Sequence, residues 1–257
     1  MYRNIGGALA ELAGDECACV IKALGSGTDR HRSVHEARKA IRRLRSILAL
    51  VRDDMGDQVA PVDHAFKRLG EGLSALRDAH VVIASASRMA QGGEAGLWPP
   101  VIQRLTMRRD RLLADALAKD PGFLRRQKRA LKLAHAIGQL PWIKVRKRSV
   151  EAALKLAGKR VDKARSRFES DPKPLLLHKW RRRVRRQRMQ VMAWNEATAA
   201  STHPANQQAK ALSRLSDALG WRQDLQVLRS HVRRVATPDE LPRLLAHIRQ
   251  AMQHASL

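Results

Sequence analysis

Apolar positions along this chain recur in steps of three and four, with almost none of the two-residue alternation that marks a strand. The pattern is broken by clusters of Gly, Pro, Asp and Ser at 25–29, 56–61, 91–100, 120–122, 138–141, 170–174, 201–204 and 237–242. Between the breaks the periodicity predicts helices at 2–24, 30–55, 60–90, 100–119, 123–137, 144–169, 174–197, 205–235 and 241–255. Ala, Leu, Arg and Lys, all good helix formers, dominate these segments. The fold class that follows is all-α.

One helical stretch occurs twice. "VHEARKAIRRLR" (34–45) returns as "LHKWRRRVRRQR" (177–188), with His35 over His178, Arg38 over Arg181, Lys39 over Arg182, Arg42 over Arg185, Arg43 over Arg186 and Arg45 over Arg188. The shift is 143 residues throughout. "LSALRDAHVV" (73–82) lies over "LGWRQDLQVL" (219–228) at a shift of 146, pairing Asp78 with Asp224, and Pro99 over Pro242 restores 143. The chain therefore reads as a tandem duplication of a four-helix unit, near 1–120 and 142–257, with a helical linker over 121–141. A unit that repeats only once points to a pseudo-twofold pair of bundles, not a solenoid. The 30–55 and 174–197 helices are expected to face each other across that axis.

In the first copy Val34, Ala37, Ile41, Leu44, Leu48 and Val51 form a core-facing stripe. His35, Arg38, Arg42, Arg45 and Arg52 run beside it, with Lys39 and Arg43 widening the basic band. In the second copy Leu177, Trp180, Val184, Val191 and Trp194 take the core stripe, and Gln187 interrupts it where the first copy has Leu44. Basic residues that flank a core stand at the lip of a groove, where they repel one another unless an anion lies among them. Guanidinium groups one helical turn apart, about 5.4 Å, suit a linear chain of phosphates, and Arg presents a fork of donors to phosphate oxygens. The same pattern on one helix alone would be a solvated charged face. Two copies, with seven basic residues and no acid over 178–188, favour a ligand.

Composition narrows the partner. The 257 residues carry 50 Lys plus Arg against 24 Asp plus Glu, a formal charge of +26, and 44% are hydrophobic. That is a folded polycation, whose partner classes are nucleic acid, an anionic surface or inorganic polyphosphate. Cys17 and Cys19 are too few for a metal site and read as small helix residues of a cytoplasmic protein. The N-terminal segment lacks the apolar run of a signal peptide, and no stretch is apolar enough to cross a bilayer. Asp78 and Asp224 each lie near an arginine, and the expectation is that they orient basic side chains. His64, His80, His135, His203, His231, His247 and His254 share no ligand spacing between the halves and read as packing or surface residues. No acidic cluster, Gly-rich phosphate loop or nucleophile constellation is visible, so neither a cofactor nor a catalytic or metal-binding residue is expected.

The two H-x-x-R-x3-R-R-x-R stretches, with "LSALRDAHV" and "LGWRQDLQV", resemble the CHAD family, the conserved-histidine α-helical domain. Ser74 stands where the family pattern has Gly, and Gln223 where it has Arg. The resemblance covers nearly the whole chain. It implies one domain of two helical bundles related by a pseudo-twofold, with a basic central cavity that binds inorganic polyphosphate, and association with polyphosphate granules. Carried onto this sequence, it points to His35, Arg38, Lys39, Arg42, Arg43, Arg45, His178, Arg181, Arg182, Arg185, Arg186 and Arg188, with Arg68 and Arg214 on the following helices. The E-x-E-x-K strand motif of the triphosphate-tunnel fold often fused to this domain is missing, which argues against hydrolysis. The leading expectation is non-enzymatic polyphosphate binding. The alternative is a nucleic-acid-binding basic helical protein; a polyphosphate-processing enzyme comes third. Weak non-specific nucleic-acid binding is expected from charge alone. Arg165, Arg167, Arg243 and Arg249 lie outside the repeated stripes and are expected to contribute bulk charge only.

Overall fold

The structure is a computed structural model that describes residues 4–25, 29–92, 96–199 and 203–254, with side chains from 207 onward in the last stretch. It is all-α: α1 Ile5–Gly25, α2 Arg30–Leu50, α3 Arg52–Met55, α4 Val59–Glu71, α5 Ser74–Ala90, α6 Trp98–Lys119, α7 Leu124–Gly138, α8 Lys147–Ser170, α9 Pro174–Ala197, α10 His203–Val235 and α11 Leu241–His254. Single 3₁₀ turns occupy Gly56–Gln58, Pro121–Phe123 and Trp142–Lys144. No strand occurs among the described residues. Asp29 caps α2, its carboxylate accepting the Arg32 N–H at 3.0 Å. Pro lies in the first turn of α6 and α9, where its missing donor costs nothing.

Two expected helices are divided. The 30–55 helix stops at Leu50, turns at Val51 and resumes as the single turn α3. The 60–90 helix is broken at Gly72 and Leu73 into α4 and α5, whereas the corresponding stretch of the second copy runs unbroken through α10. The residue matching Gly72 there is Ala218. The worst helix former short of Pro stands at the break, and the best one stands where the helix continues. Of the expected breaks at 25–29, 91–100 and 201–204, residues 26–28, 93–95 and 201–202 lie outside the described residues, and His203 and Pro204 already belong to α10.

Contacts divide the chain into two compact units, and these are not its sequence halves. Unit 1 comprises Met1–Gly72 with Gly122–Ser216; unit 2 comprises Leu73–Pro121 with Asp217–Leu257. Each takes one segment from each copy of the repeat.

In unit 1, α1 packs on α2, α7 and α9, and α2 packs also on α4, α8 and α9. The predicted α2 stripe, Val34, Ala37, Ile41, Leu44, Leu48 and Val51, is buried throughout, as are Leu177, Trp180, Val184 and Val191 of α9; Trp194 is half-buried. α8 lies along α9, joined by the stacked rings of Phe168 and Trp180, 5.6 Å between centroids. Gly158 permits this approach: a Cβ there would come within 3.2 Å of the buried Gln187 amide. Gln187 thus interrupts the apolar seam where it faces Gly158. A Cβ on Gly6 would overlap the Trp142 carbonyl, so α1 meets the 142–145 turn through a glycine. The N-terminus of α8 is tied down by Asp54, whose carboxylate accepts the Arg146 backbone N–H (2.9 Å), both arms of its guanidinium (2.8 and 2.7 Å) and the Ser149 hydroxyl (2.9 Å).

In unit 2, α5, α6, the later part of α10 and α11 enclose a core of Val82, Ala86, Met89, Trp98, Val101, Leu105, Leu225, Leu228, Val232, Leu244 and Ile248. The Trp98 indole donates to His247 Nδ1 at 3.0 Å, so His247 serves packing. Asp78 accepts from Arg77 at 3.0 Å, the orienting ion pair expected of it.

Candidate functional site

α2, α8 and α9 of unit 1 border an open groove of ≈ 480 Å³. Ten basic side chains line it and no acidic one does. α2 contributes Arg42 and Arg45; α9 contributes Lys179, Arg182, Arg183, Arg185 and Arg186; α8 contributes Arg160, Lys163 and Arg167. Ser46 and Met189 form part of the floor, the Ser46 hydroxyl donating to the Arg42 carbonyl at 2.8 Å and lying 3.7 Å from the Met189 sulfur. Ser46 and Met189 are counterparts at the 143-residue shift, so the two copies of the His–Arg helix meet at matching positions.

A smaller hollow of ≈ 110 Å³ shares Arg160, Arg183 and Arg186 with the groove and extends it past Arg52. Asp53 stands at this end.

The groove gathers five of the residues picked from sequence: Arg42, Arg45, Arg182, Arg185 and Arg186. Arg45 reaches it from an anchored position, its Nε and Nη2 donating to Asp63 of α4 at 2.7 and 3.1 Å. The rest are placed elsewhere. The Arg38 guanidinium donates to the Gly70 carbonyl, bracing α2 on α4. Arg43 pairs with Glu16 of α1 at 3.3 Å, and Lys39 with Glu36 at 3.6 Å. Arg68 donates to His64 on α4 at 3.3 Å. Arg188 donates to the Ser213 hydroxyl at 3.0 Å. His35, His178 and Arg181 are half-buried and Arg214 exposed, none of them lining the groove. Arg167, expected to contribute bulk charge only, is a groove residue.

The wall supplied by α8 has a traceable origin. Shifted by 144 residues, the stripe Gly6, Leu9, Ala13, Cys17, Val20 and Leu24 of α1 falls on Val150, Ala153, Ala157, Val161, Ala164 and Phe168 of α8, each buried or half-buried. α8 is therefore the second copy of α1, and Arg160 takes the place of Glu16. In the first copy Glu16 accepts from Arg43; burial raises its pKa, and Arg43 opposes that rise. In the second copy the matching residues are Arg160 and Arg186, two cations on one groove. Burial, then the neighbouring Arg45, pushes the Arg186 pKa down, with Arg182 and Arg183 adding to the effect and Asp63 opposing it. A half-buried guanidinium among like charges is a ready partner for an anion.

Among the described residues no group of three or more His, Cys, Asp or Glu side chains could hold a metal ion, and no helix is long and apolar enough to cross a membrane. Burial and the adjacent Glu16 push the Cys17 thiol up to about 12, so it stays protonated and unreactive.

The groove lining combines ten cationic side chains with no acidic one, and Asp63 meets Arg45 from α4 outside the lining. It offers an anion a row of charge-assisted donors.

No match was found among curated proteins. The crystal structure of the CHAD domain from the plant Ricinus communis has a similar fold, with a TM-score of 0.68 and 19% identity over 99% of this chain and 87% of that one. The family model of the CHAD domain matches residues 13–233, most of the chain. With the doubled His–Arg helix on α2 and α9, the match establishes that the chain belongs to the CHAD domain family.

Proposed function

We propose that the protein binds inorganic polyphosphate without turning it over, through the α2/α8/α9 groove. One observation carries the reading: ten basic side chains line a single groove that no carboxylate enters. A condensed phosphate chain bears a charge on every unit and accepts hydrogen bonds along its whole length, which suits a track of arginines better than a single pocket. The groove stands for the basic cavity of the family, and the Ser46–Met189 contact between matching positions supports a pseudo-twofold relation between the copies near 1–120 and 142–257. Binding at polyphosphate granules in the cytoplasm is the setting this reading supports.

Competition tests it. At physiological salt, long-chain polyphosphate is expected to displace duplex DNA of equal charge from the purified protein. Displacement in the opposite direction identifies a nucleic-acid binder. The groove contains no aromatic side chain on which bases could stack, which favours the phosphate polymer.

A further inference from the structure

Unit 2 has a basic groove of its own, between α10 and α11. It measures ≈ 360 Å³, has Leu245 and Met252 in its lining, and carries Arg222, Arg229 and Arg233 from α10 with Arg249 from α11. The α10 arginines are spaced by seven and four residues and so share one face of the helix. No acid lines the groove; from Arg222 to Ala236 the one acid is Asp224, and none occurs over 241–254. Among the described residues none of the four arginines pairs with a carboxylate. The Nε of Arg222 is buried without a hydrogen-bond partner.

The first copy of the repeat does not carry this charge. At the shift of 146, Arg222, Arg229 and Arg233 fall on Leu76, Ile83 and Ser87; at 143, Arg249 falls on Thr106. The first copy has no basic residue at any of the four positions. A face that served only solubility would need no such concentration in one groove of one copy, where the guanidinium groups repel one another.

We propose that this groove is a second anion site, for the phosphoanhydride group of a short condensed phosphate. Four cations facing one groove are neutralised by a multivalent anion and not by a single carboxylate. Forked guanidinium donors match tetrahedral phosphoryl oxygens. No aromatic lines the groove, so it lacks a stacking platform for a nucleobase. The phosphate can arrive as a free oligophosphate or as a segment of a longer chain. The site shares no residue with the α2/α8/α9 groove and stands independently of the function proposed there.

The test is isothermal titration of the full chain with sodium tripolyphosphate at physiological salt. Two equivalents are expected for the parent protein. Arg229→Gln with Arg249→Gln should remove one of them or weaken it about tenfold or more, with an unchanged melting curve. Arg182→Gln with Arg185→Gln should affect the other. Arg111→Gln with Arg243→Gln removes the same charge from unit 2 outside the groove and should leave both equivalents in place. The Arg222 side-chain N–H resonance should shift on the ligand's addition.

A parent protein with one equivalent, lost only in the Arg182/Arg185 variant, overturns the second site and leaves the first. One equivalent lost only in the Arg229/Arg249 variant keeps the second site and overturns the first. Equal losses in the Arg229/Arg249 and Arg111/Arg243 variants reduce the groove to bulk charge and overturn the proposal, as does a parent protein that binds no tripolyphosphate. Titration with long-chain polyphosphate separates the two sources. Weaker long-chain binding by the Arg229/Arg249 variant marks a segment of polymer; unchanged binding marks a separate small anion.

Discussion

Glu16 and Arg160 occupy corresponding turns of corresponding helices with opposite charge, and the groove depends on that reversal. Arg160→Glu should place a carboxylate beside Arg186, as Glu16 stands beside Arg43. Two measurements should then move in opposite directions: polyphosphate affinity falls by more than for Arg160→Ala, while thermal stability holds or rises because a half-buried cation gains a partner. A parallel loss of both would mean that Arg186 already has what it needs. In the same groove, Arg182→Ala with Arg185→Ala should weaken polyphosphate binding about ten- to hundredfold, because Arg182 is exposed and Arg185 half-buried and each wet contact contributes less than the roughly 1.5–3 kcal/mol of a desolvated one. Arg165→Ala with Lys132→Ala, both exposed and outside the groove, removes equal charge and should cost far less at a Debye length of about 8 Å. Equal effects in a filter-binding assay would reduce the site to a diffuse field. The two arginine stripes were legible because their spacing repeats. The α8 wall was not: its copy of α1 is displaced by one residue from the 143 register, and Arg160, Lys163 and Arg167, spaced three and four apart, look like any solvated face until α9 is seen beside them. Nor could spacing reveal that Arg43 and Arg45 each meet an acid, since Glu16 and Asp63 lie on other helices.

Helix α8 is held at its two ends by different means. Near its C-terminus the Phe168 ring stacks on Trp180. At its N-terminus Arg146, the capping residue, makes no side-chain capping bond, and Asp54 substitutes by accepting from Arg146 and Ser149. Burial alone would raise the Asp54 pKa, but the hydrogen bonds from Arg146 and Ser149 outweigh it and hold the carboxyl below its ordinary value. A depressed carboxyl pKa gives stability that is present above the ordinary carboxylate range and is lost as pH falls through the folded-state value. The Asp54 anchor should therefore persist through mildly acidic pH and fail only below that range. Asp54→Asn should cost about 1–3 kcal/mol at pH 7, with the difference from the parent shrinking in melts at strongly acidic pH. A constant difference across pH would rule out ionisation as the cause. At the other contact of the 142–145 turn, Gly6→Ala should destabilise unit 1 markedly, because the new methyl meets backbone and not a side chain that can swing away. Differential scanning calorimetry would show it as a lowered transition. Helix existence was readable from the apolar period almost everywhere. The break between α4 and α5 was not, because one glycine in a periodic segment is ordinarily tolerated.

For the molecule as a whole, the formal charge of +26 makes ionic strength the governing variable. Polyphosphate binding should weaken steeply with salt, its logarithmic slope growing by about 0.9 for each phosphate neutralised if the polymer condenses counterions as duplex DNA does. A salt-insensitive constant would point away from the groove. The all-α class and the duplication were both visible in the sequence, because period and self-similarity are properties of a line. The partition into units was not, because it joins segments from opposite halves. That partition bears on synthesis. α2 emerges early, but its packing partner α9 begins at Pro174, and unit 1 ends at Ser216. At 5–20 residues per second, roughly ten to thirty seconds of translation separate them. A nascent chain halted at its midpoint cannot close either unit, and for that interval the arginine helix stands on the ribosome with α1 and α4 beside it but without α8 and α9.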